Sequence, residues 1–376
     1  MNAGALAVVG VALVASLLRA LACTPVPPAR PALATSTPAP TPPSATASYT
    51  PRPLSPPVRV RVIDSQVTGQ VPIYLAYDRG YFKDEGLDID LVALTESPAA
   101  VQAVARNQVQ FALALPDPVV FNALNRGVNL RILAASTVNG MHDRPAQFLV
   151  RQDHLDTGAY ASPADLRGLT VAVPAVSYEW YVERLLAESG LSFDQVTTVL
   201  IRTSDMISAF QTRVVDAGWV TEPTASTMTQ QHLGTSVGTV GPLFPGAVGA
   251  VLLMSPQFGV EQPEAAQRFV IAFLRGARDY AAARAPDSPG RAAMLQSLAR
   301  HASLRDPRLY DQIGLPGIDV NGEVNPAPSW SVFQDFYLRQ GIQDAPVDLS
   351  AYVDFSLVEN ALALLGRDPT DTGRAP

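Results

Sequence analysis

Strand-like and helix-like stretches alternate from Val58 to Val220, and the series runs twice. Val58 to Ile63 reads as a strand, Val71 to Lys83 as an amphipathic helix, and Leu87 to Leu94 as an alternating strand. Pro98 to Asn107 and Pro118 to Asn125 read as helices, with Val109 to Ala114 and Leu130 to Ala135 as strands. Ala146 to Val150 extends across a boundary into the second series. There Ser162 caps a short turn with Pro163 at its first position. Strand Leu169 to Val173, helix Tyr178 to Ser189 closed by Gly190, and strand Val196 to Ile201 follow. Helix Asp205 to Thr212 and strand Asp216 to Val220 complete the second series, and from Pro263 the pattern is mainly helical. Alternation of this kind specifies an α/β fold with mostly parallel sheets, and it occurs twice.

The size of this body matters because cysteine offers no help. The one cysteine of the chain, Cys23, precedes the body, so the folded part has no disulfide and holds together by core burial. Net charge is −7 and no Lys/Arg run occurs, which argues against nucleic acid as a partner. The four histidines, His142, His154, His232 and His301, are isolated and lack metal-ligand spacing, so no metal is expected. No phosphate loop or Gly-x-Ser-x-Gly motif occurs.

The N-terminus speaks to location. Ala3 to Leu18 is almost all Ala, Val, Leu and Gly, the composition of an export-signal core. Ala20-Leu21-Ala22-Cys23 then resembles the lipobox of bacterial lipoproteins, with Ala20 where the standard motif has Leu. On that reading residues 1–22 are a signal peptide and Cys23 carries the acyl chains of a membrane anchor. Secretion after cleavage at Ala22 and retention of an uncleaved anchor are the alternatives, and all three export the chain. From Thr24 to Pro57 the sequence is Pro, Ala, Thr and Ser, a semi-rigid spacer, so residues 23–57 form a lipid-anchored tether.

Three stretches of the body resemble one family. Pro72-Ile73-Tyr74-Leu75-Ala76-Tyr77-Asp78-Arg79-Gly80-Tyr81-Phe82-Lys83-Asp84-Glu85-Gly86-Leu87-Asp88-Ile89-Asp90-Leu91, Ala164-Asp165-Leu166-Arg167-Gly168-Leu169-Thr170-Val171-Ala172-Val173, and Asp216-Ala217-Gly218-Trp219-Val220-Thr221-Glu222-Pro223 look like the NMT1/THI5-like solute-binding proteins. The resemblance spans about residues 58 to 366. It implies a periplasmic-binding-protein type II fold: lobe 1 from 58–145 and 249–376, lobe 2 from 146–248. Members serve ABC importers of thiamine-precursor pyrimidines, sulfonates, nitrate and riboflavin. The implied partners are a small-molecule ligand, an ABC permease with its ATPase, and the outer face of the cell membrane (the periplasmic side if a second membrane exists). The chain is expected to be a monomer without a cofactor.

Ligands of open α/β sheets bind outside the carboxyl ends of the strands. The candidate cleft residues are therefore Ser65, Gln66 and Thr68 after the first strand, and Asp117 after the third. Tyr178, Glu179 and Trp180 begin a helix of the second lobe, and Trp219 and Glu222 follow its last strand. Tyr74, in the first resembling stretch, joins the set. Ser177 reads as an N-cap, Tyr181 as core, and Trp180 as an exposed or ligand-facing indole, because it falls off the apolar stripe. For Asp117 the ordinary alternative is a cap of its own helix, and for Trp219 a packed indole at the lobe junction. Glu179 in a helix first turn repels anions, so a planar neutral or cationic ligand between aromatic rings ranks first.

The expected function is that of a substrate-binding lipoprotein of an ABC importer, with riboflavin the first choice of ligand and a thiamine-type aminopyrimidine the second. Sulfonate or nitrate binding by the same fold is the next alternative. An enzyme is the rival class, since fungal members make the thiamine pyrimidine with a pyridoxal phosphate lysine, a histidine and a cysteine-rich motif. Here the one lysine, Lys83, lies in the Gly80–Gly86 motif and the body has no cysteine, so no catalytic residue is assigned. A sensor domain is the remaining class.

Overall fold

Val-Arg-Val-Arg-Val alternates as a strand must when one face is buried. Val60 and Val62 are fully buried while Arg59 and Arg61 face solvent. This strand, β1 (Val58–Asp64), is the nucleus of the first sheet in a computed structural model that describes residues 49–94 and 97–370. The export segment, Cys23 and most of the Pro-rich spacer lie outside the described residues.

The first sheet holds β1, β2 (Leu87–Ala93), β3 (Phe111–Ala114), β4 (Arg131–Val138) and β10 (Val248–Met254), in the order β2-β1-β3-β10-β4. The second holds β5 (Ala146–Arg151), β6 (Thr170–Val173), β7 (Thr197–Leu200), β8 (Ala217–Thr221) and β9 (Gly234–Thr239), in the order β7-β6-β8-β5-β9. Each sheet is mixed. Parallel pairs join β1 to β2 and β3, and β6 to β7 and β8. The antiparallel member is the strand by which the chain enters that sheet from the other one: β10 between β3 and β4, and β5 between β8 and β9. The chain thus passes between sheets at residues 139–145 and again at 240–247.

Two local differences from the sequence reading have simple causes. The helix expected from Val71 to Lys83 stops at Asp78 and restarts at Tyr81, because Gly80 turns left-handed at φ 77°. Strand β9, Gly-Thr-Ser-Val-Gly-Thr, has no apolar alternation to announce it and is held by pairing with β5.

After β10 the chain returns to the first sheet as helices. Pro263–Arg284 lays its apolar face across the sheet and the Val71–Asp78 helix, with Phe269 stacked on Phe111 at 3.7 Å. Burying a phenylalanine of this kind stabilises by about 1.5–3 kcal/mol. Gly276 permits the close approach, since a Cβ there would lie 2.1 Å from the Pro72 carbonyl oxygen. The end of the Pro-rich segment also packs on this lobe. The Tyr49 hydroxyl donates to the buried Glu85 carboxylate at 2.9 Å, and the Leu54 N–H donates to the Glu85 carbonyl at 3.2 Å. Residues 49–57, expected in the tether, are therefore part of the folded body.

One further helix, Ala327–Arg339, joins the lobes. On the first lobe, Trp330 Nε1 donates to the Val248 carbonyl at 3.0 Å and the Tyr337 hydroxyl to the Pro116 carbonyl at 2.6 Å. On the second, Phe333 packs on Trp180 at 4.9 Å, Phe336 on Phe193 at 5.3 Å, and Arg339 pairs with Glu183 at 2.8 Å.

Candidate functional site

Most of the predicted residues follow the carboxyl ends of β1, β3, β6 and β8, and Asp117 meets Ser177 across the lobes. After β1, Gln66 adopts a left-handed turn at φ 56°, and its N–H donates to Asp64 Oδ1 at 3.0 Å. The Ser65 N–H donates to Gln70 Oε1 at 2.6 Å, so the loop is fixed through its backbone while the Ser65 and Gln66 side chains stay half-buried. Thr68 is buried at the start of the Thr68–Gln70 turn. Tyr74 does not reach the cleft. It is fully buried, stacked on His301 at 4.9 Å, and its hydroxyl donates to Asp64 Oδ1 at 2.7 Å. Tyr74 supports the loop from beneath, because the inner face of its helix points into the core.

Asp117 departs from the expectation of a local cap. It stands at the N-cap position of the Pro118–Asn125 helix but makes no side-chain bond to that helix. Its Oδ1 instead accepts the Ser177 N–H of the second lobe at 3.0 Å. Ser177 itself is the first residue of the Ser177–Ala187 helix, preceded by Val176 as N-cap. The carboxylate thus satisfies an amide that the helix cannot satisfy internally. Burial pushes the Asp117 carboxyl up, the bonds from Ser177 pull it down, and the Glu179 charge pushes it up again, with a net rise.

The Ser177 helix covers Trp219. The indole is fully buried on β8, with ring centroids 5.3 Å from Phe148, 5.8 Å from Tyr181 and 6.2 Å from Tyr178. Among the described residues its Nε1–H has no hydrogen-bond partner. An unmet buried donor costs about 1–3 kcal/mol, and natural sites carry one for a reason. Tyr178 is half-buried beside the indole, and burial, reinforced by Tyr181 and Asp117, pushes its hydroxyl well above its ordinary value. Tyr181, expected as core, is buried and accepts from Asn139 Nδ2 at 3.0 Å.

Trp180 is not the exposed indole expected. It is buried between Phe244, at 5.0 Å, and Phe333, at 4.9 Å. The off-stripe face of its helix is covered by Ala327–Arg339, about 150 residues away in sequence, which no local periodicity can announce. Glu179 turns toward β7 and accepts from Thr198 Oγ1 at 2.8 Å; burial pushes its carboxyl up against that bond. Glu222 is enclosed. Gln147 Nε2 donates at 2.5 Å, Ser226 Oγ at 2.9 Å and the Ser226 N–H at 3.1 Å, with the Gly314 backbone adding a further bond. A carboxylate has about four acceptor sites, so Glu222 has little capacity left. Burial nevertheless raises its carboxyl, outweighing the donors. Its geometry is that of a brace beneath the β8 loop.

Residues 68–287, more than half of the chain, match the family described as NMT1/THI5 like. The chain belongs to that family. Among relatives of this NMT1/THI5-like protein, a candidate binding protein of Brucella abortus (strain 2308) is 26% identical over 235 residues, covering 62% of this chain and 69% of its own. The formylaminopyrimidine-binding protein of Halalkalibacterium halodurans is 31% identical over 125 residues, which is 33% of this chain and 35% of that protein. Solved structures share the fold at low identity. The alkanesulfonate-binding protein SsuA of Xanthomonas axonopodis pv. citri, bound to MOPS, superposes with a TM-score of 0.63 at 19% identity, over 79% of this chain and 98% of its own. The nitrate-binding protein NrtA of Synechocystis PCC 6803 gives 0.66 at 15%, over 84% and 90%. The same fold also carries an enzyme, the desulfurization enzyme DSZB, at a TM-score of 0.60 and 16% identity.

Three site neighbours of this NMT1/THI5-like protein escaped the sequence reading: Asn139, Gln147 and Phe333. Asn139 lies in the first crossing and Gln147 on β5, both outside the loops that follow parallel strands. Among the described residues no helix is long and apolar enough to cross a membrane.

Proposed function

We propose that this protein is the solute receptor of an ABC importer and closes its two lobes around a planar aromatic heterocycle. The observation that carries the reading is the buried Trp219 N–H, unpartnered among the described residues, next to the Tyr178 ring and its hydroxyl. Both belong to aromatic rings, so a flat ring gains contact area and hydrogen bonds together. An aminopyrimidine is the first choice, supported by the 31% identity to a formylaminopyrimidine-binding protein. Riboflavin, ahead on the sequence alone, stands second. The reading is non-catalytic. Export, lipid attachment at Cys23 and delivery to a membrane permease complete it, with a monomeric chain lifted from the membrane by its Pro-rich spacer. Binding of an anion is the third reading, suggested by the alkanesulfonate- and nitrate-binding proteins that share the fold.

The test is calorimetric titration of the full chain with 4-amino-2-methylpyrimidine. Trp219→Phe keeps an aromatic ring and deletes the donor, and affinity is expected to fall about five- to tenfold, the loss of roughly 1 kcal/mol for one hydrogen bond. Unchanged affinity in both Trp219→Phe and Tyr178→Phe would sink the reading.

A further inference from the structure

The donor that a helix first turn offers to anions is already taken. N–H groups at a helix start lack intrahelical partners, and the helix dipole adds attraction for negative charge. In the Ser177–Ala187 helix, that position is held by a carboxylate of the chain's own other lobe, Asp117, only 5% exposed. A second carboxylate, Glu179, stands in the same turn and is bonded to Thr198. The polar groups beside them are of another kind: the neutral Trp219 N–H, unpartnered among the described residues, and the Tyr178 hydroxyl on the neighbouring ring.

We propose that Asp117 is the specificity-determining residue of the interlobe site: docked on the Ser177 amide, its carboxylate excludes anionic solutes and leaves the site to uncharged or cationic aromatic ones. The inference rests on the receptor reading above. It also ties selection to closure, because the bond joins the lobes: the second lobe swings onto Asp117, and a bound anion would have to displace a fixed charge of its own sign. A sulfonate or nitrate meets that repulsion, whereas an amino-substituted ring does not.

The experiment is calorimetric titration of the full wild-type chain, Asp117→Ala and Asp117→Asn with ethanesulfonate, nitrate, 4-amino-2-methylpyrimidine and riboflavin. Asp117→Ala frees both the amide and the charge, and is expected to bind at least one anion about tenfold more tightly than wild type. Asp117→Asn keeps the volume and an acceptor for Ser177 while removing the charge, and is expected to gain less. It also serves if the alanine variant does not fold, as judged by circular dichroism. Folded variants with the wild-type response to both anions would overturn the proposal. The two unsubstituted-chain ring titrations judge the receptor reading separately: a wild type blind to both rings would overturn that reading, while the anion titrations of the variants still decide the role of Asp117.

Discussion

A carboxylate taken out of water stays an ion only so far as donors replace the water, and Glu222, Asp117 and Asp78 meet that demand to different degrees. Glu222 fills its acceptor sites within its own lobe and with the Gly314 backbone. Asp117 reaches across to the second lobe. Asp78, the last residue of the Val71–Asp78 helix that supports the β1 loop, pairs with His301 at 2.9 Å and Arg300 at 2.7 Å. Burial opposes ionisation of Asp78, but the His301 bond together with the nearby Ser297 hydroxyl and Arg300 guanidinium outweighs it and holds the carboxyl below its usual range. A depressed folded value means that the stabilisation is fully present above the unfolded value near ~4 and is lost as pH falls through the folded one. Asp78→Asn should therefore cost about 2 kcal/mol at pH 7, typical of charged hydrogen bonds. The gap to wild type should close as the medium is acidified below about pH 4. Urea unfolding at a series of pH values checks this, and a gap that persists in acid would place the effect elsewhere. Ser177 and Asp117 were readable one at a time, each as the start of a helix. Their bond was not, because a separation of 60 residues leaves no trace in local periodicity.

At the scale of elements, glycines and patterning carried most of what could be read. The Gly80-to-Gly86 stretch marks a break and a left-handed turn, and both glycines have positive φ, 77° and 74°. Their surroundings differ. A Cβ on Gly80 meets nothing, whereas one on Gly86 would lie 2.1 Å from the Leu54 backbone nitrogen. Gly80→Ala is thus expected to cost only the left-handed penalty, about 1–2 kcal/mol. Gly86→Ala should cost more and expose residues 49–57 to protease, since the segment around Leu54 must move aside. Equal destabilisation in a melting comparison, with unchanged proteolysis, would contradict that packing. Strand β9 and the covering role of Ala327–Arg339 were illegible for opposite reasons. The first has too little apolar content to signal a strand. The second is plainly an apolar helix, but the partner of its Phe333 face is set only by tertiary packing.

At the scale of the whole molecule, two sheets exchange a strand each, and a late helix binds both. The exchange strands β5 and β10 follow the crossings, so lobe motion must bend residues 139–145 and 240–247. Phe333, Phe336 and Arg339 make contacts that oppose opening. Phe333→Ala should lower stability by about 3–5 kcal/mol as a large-to-small core change. It should also enlarge the radius of gyration in solution scattering. Ligand affinity should drop in proportion to the closed fraction, although Phe333 belongs to the covering helix. An unchanged scattering profile and affinity would remove the helix from the closing mechanism. The α/β class and its doubling followed from the repeated strand–helix series, since each series must bury one sheet face. The ligand did not follow, because planar stacking and anion capture use the same fold and differ by a few side chains.

The most direct test of the receptor reading is a thermal-shift panel on the full chain with 4-amino-2-methylpyrimidine, riboflavin, ethanesulfonate and nitrate. A ligand that binds only the folded state, at a hundred times its dissociation constant, adds about 2.7 kcal/mol. A rise of several degrees with one of the aromatic rings, and none with either anion, is the predicted result. A rise with ethanesulfonate or nitrate alone would contradict it, and would mean that the Ser177 amide is open to anions after all.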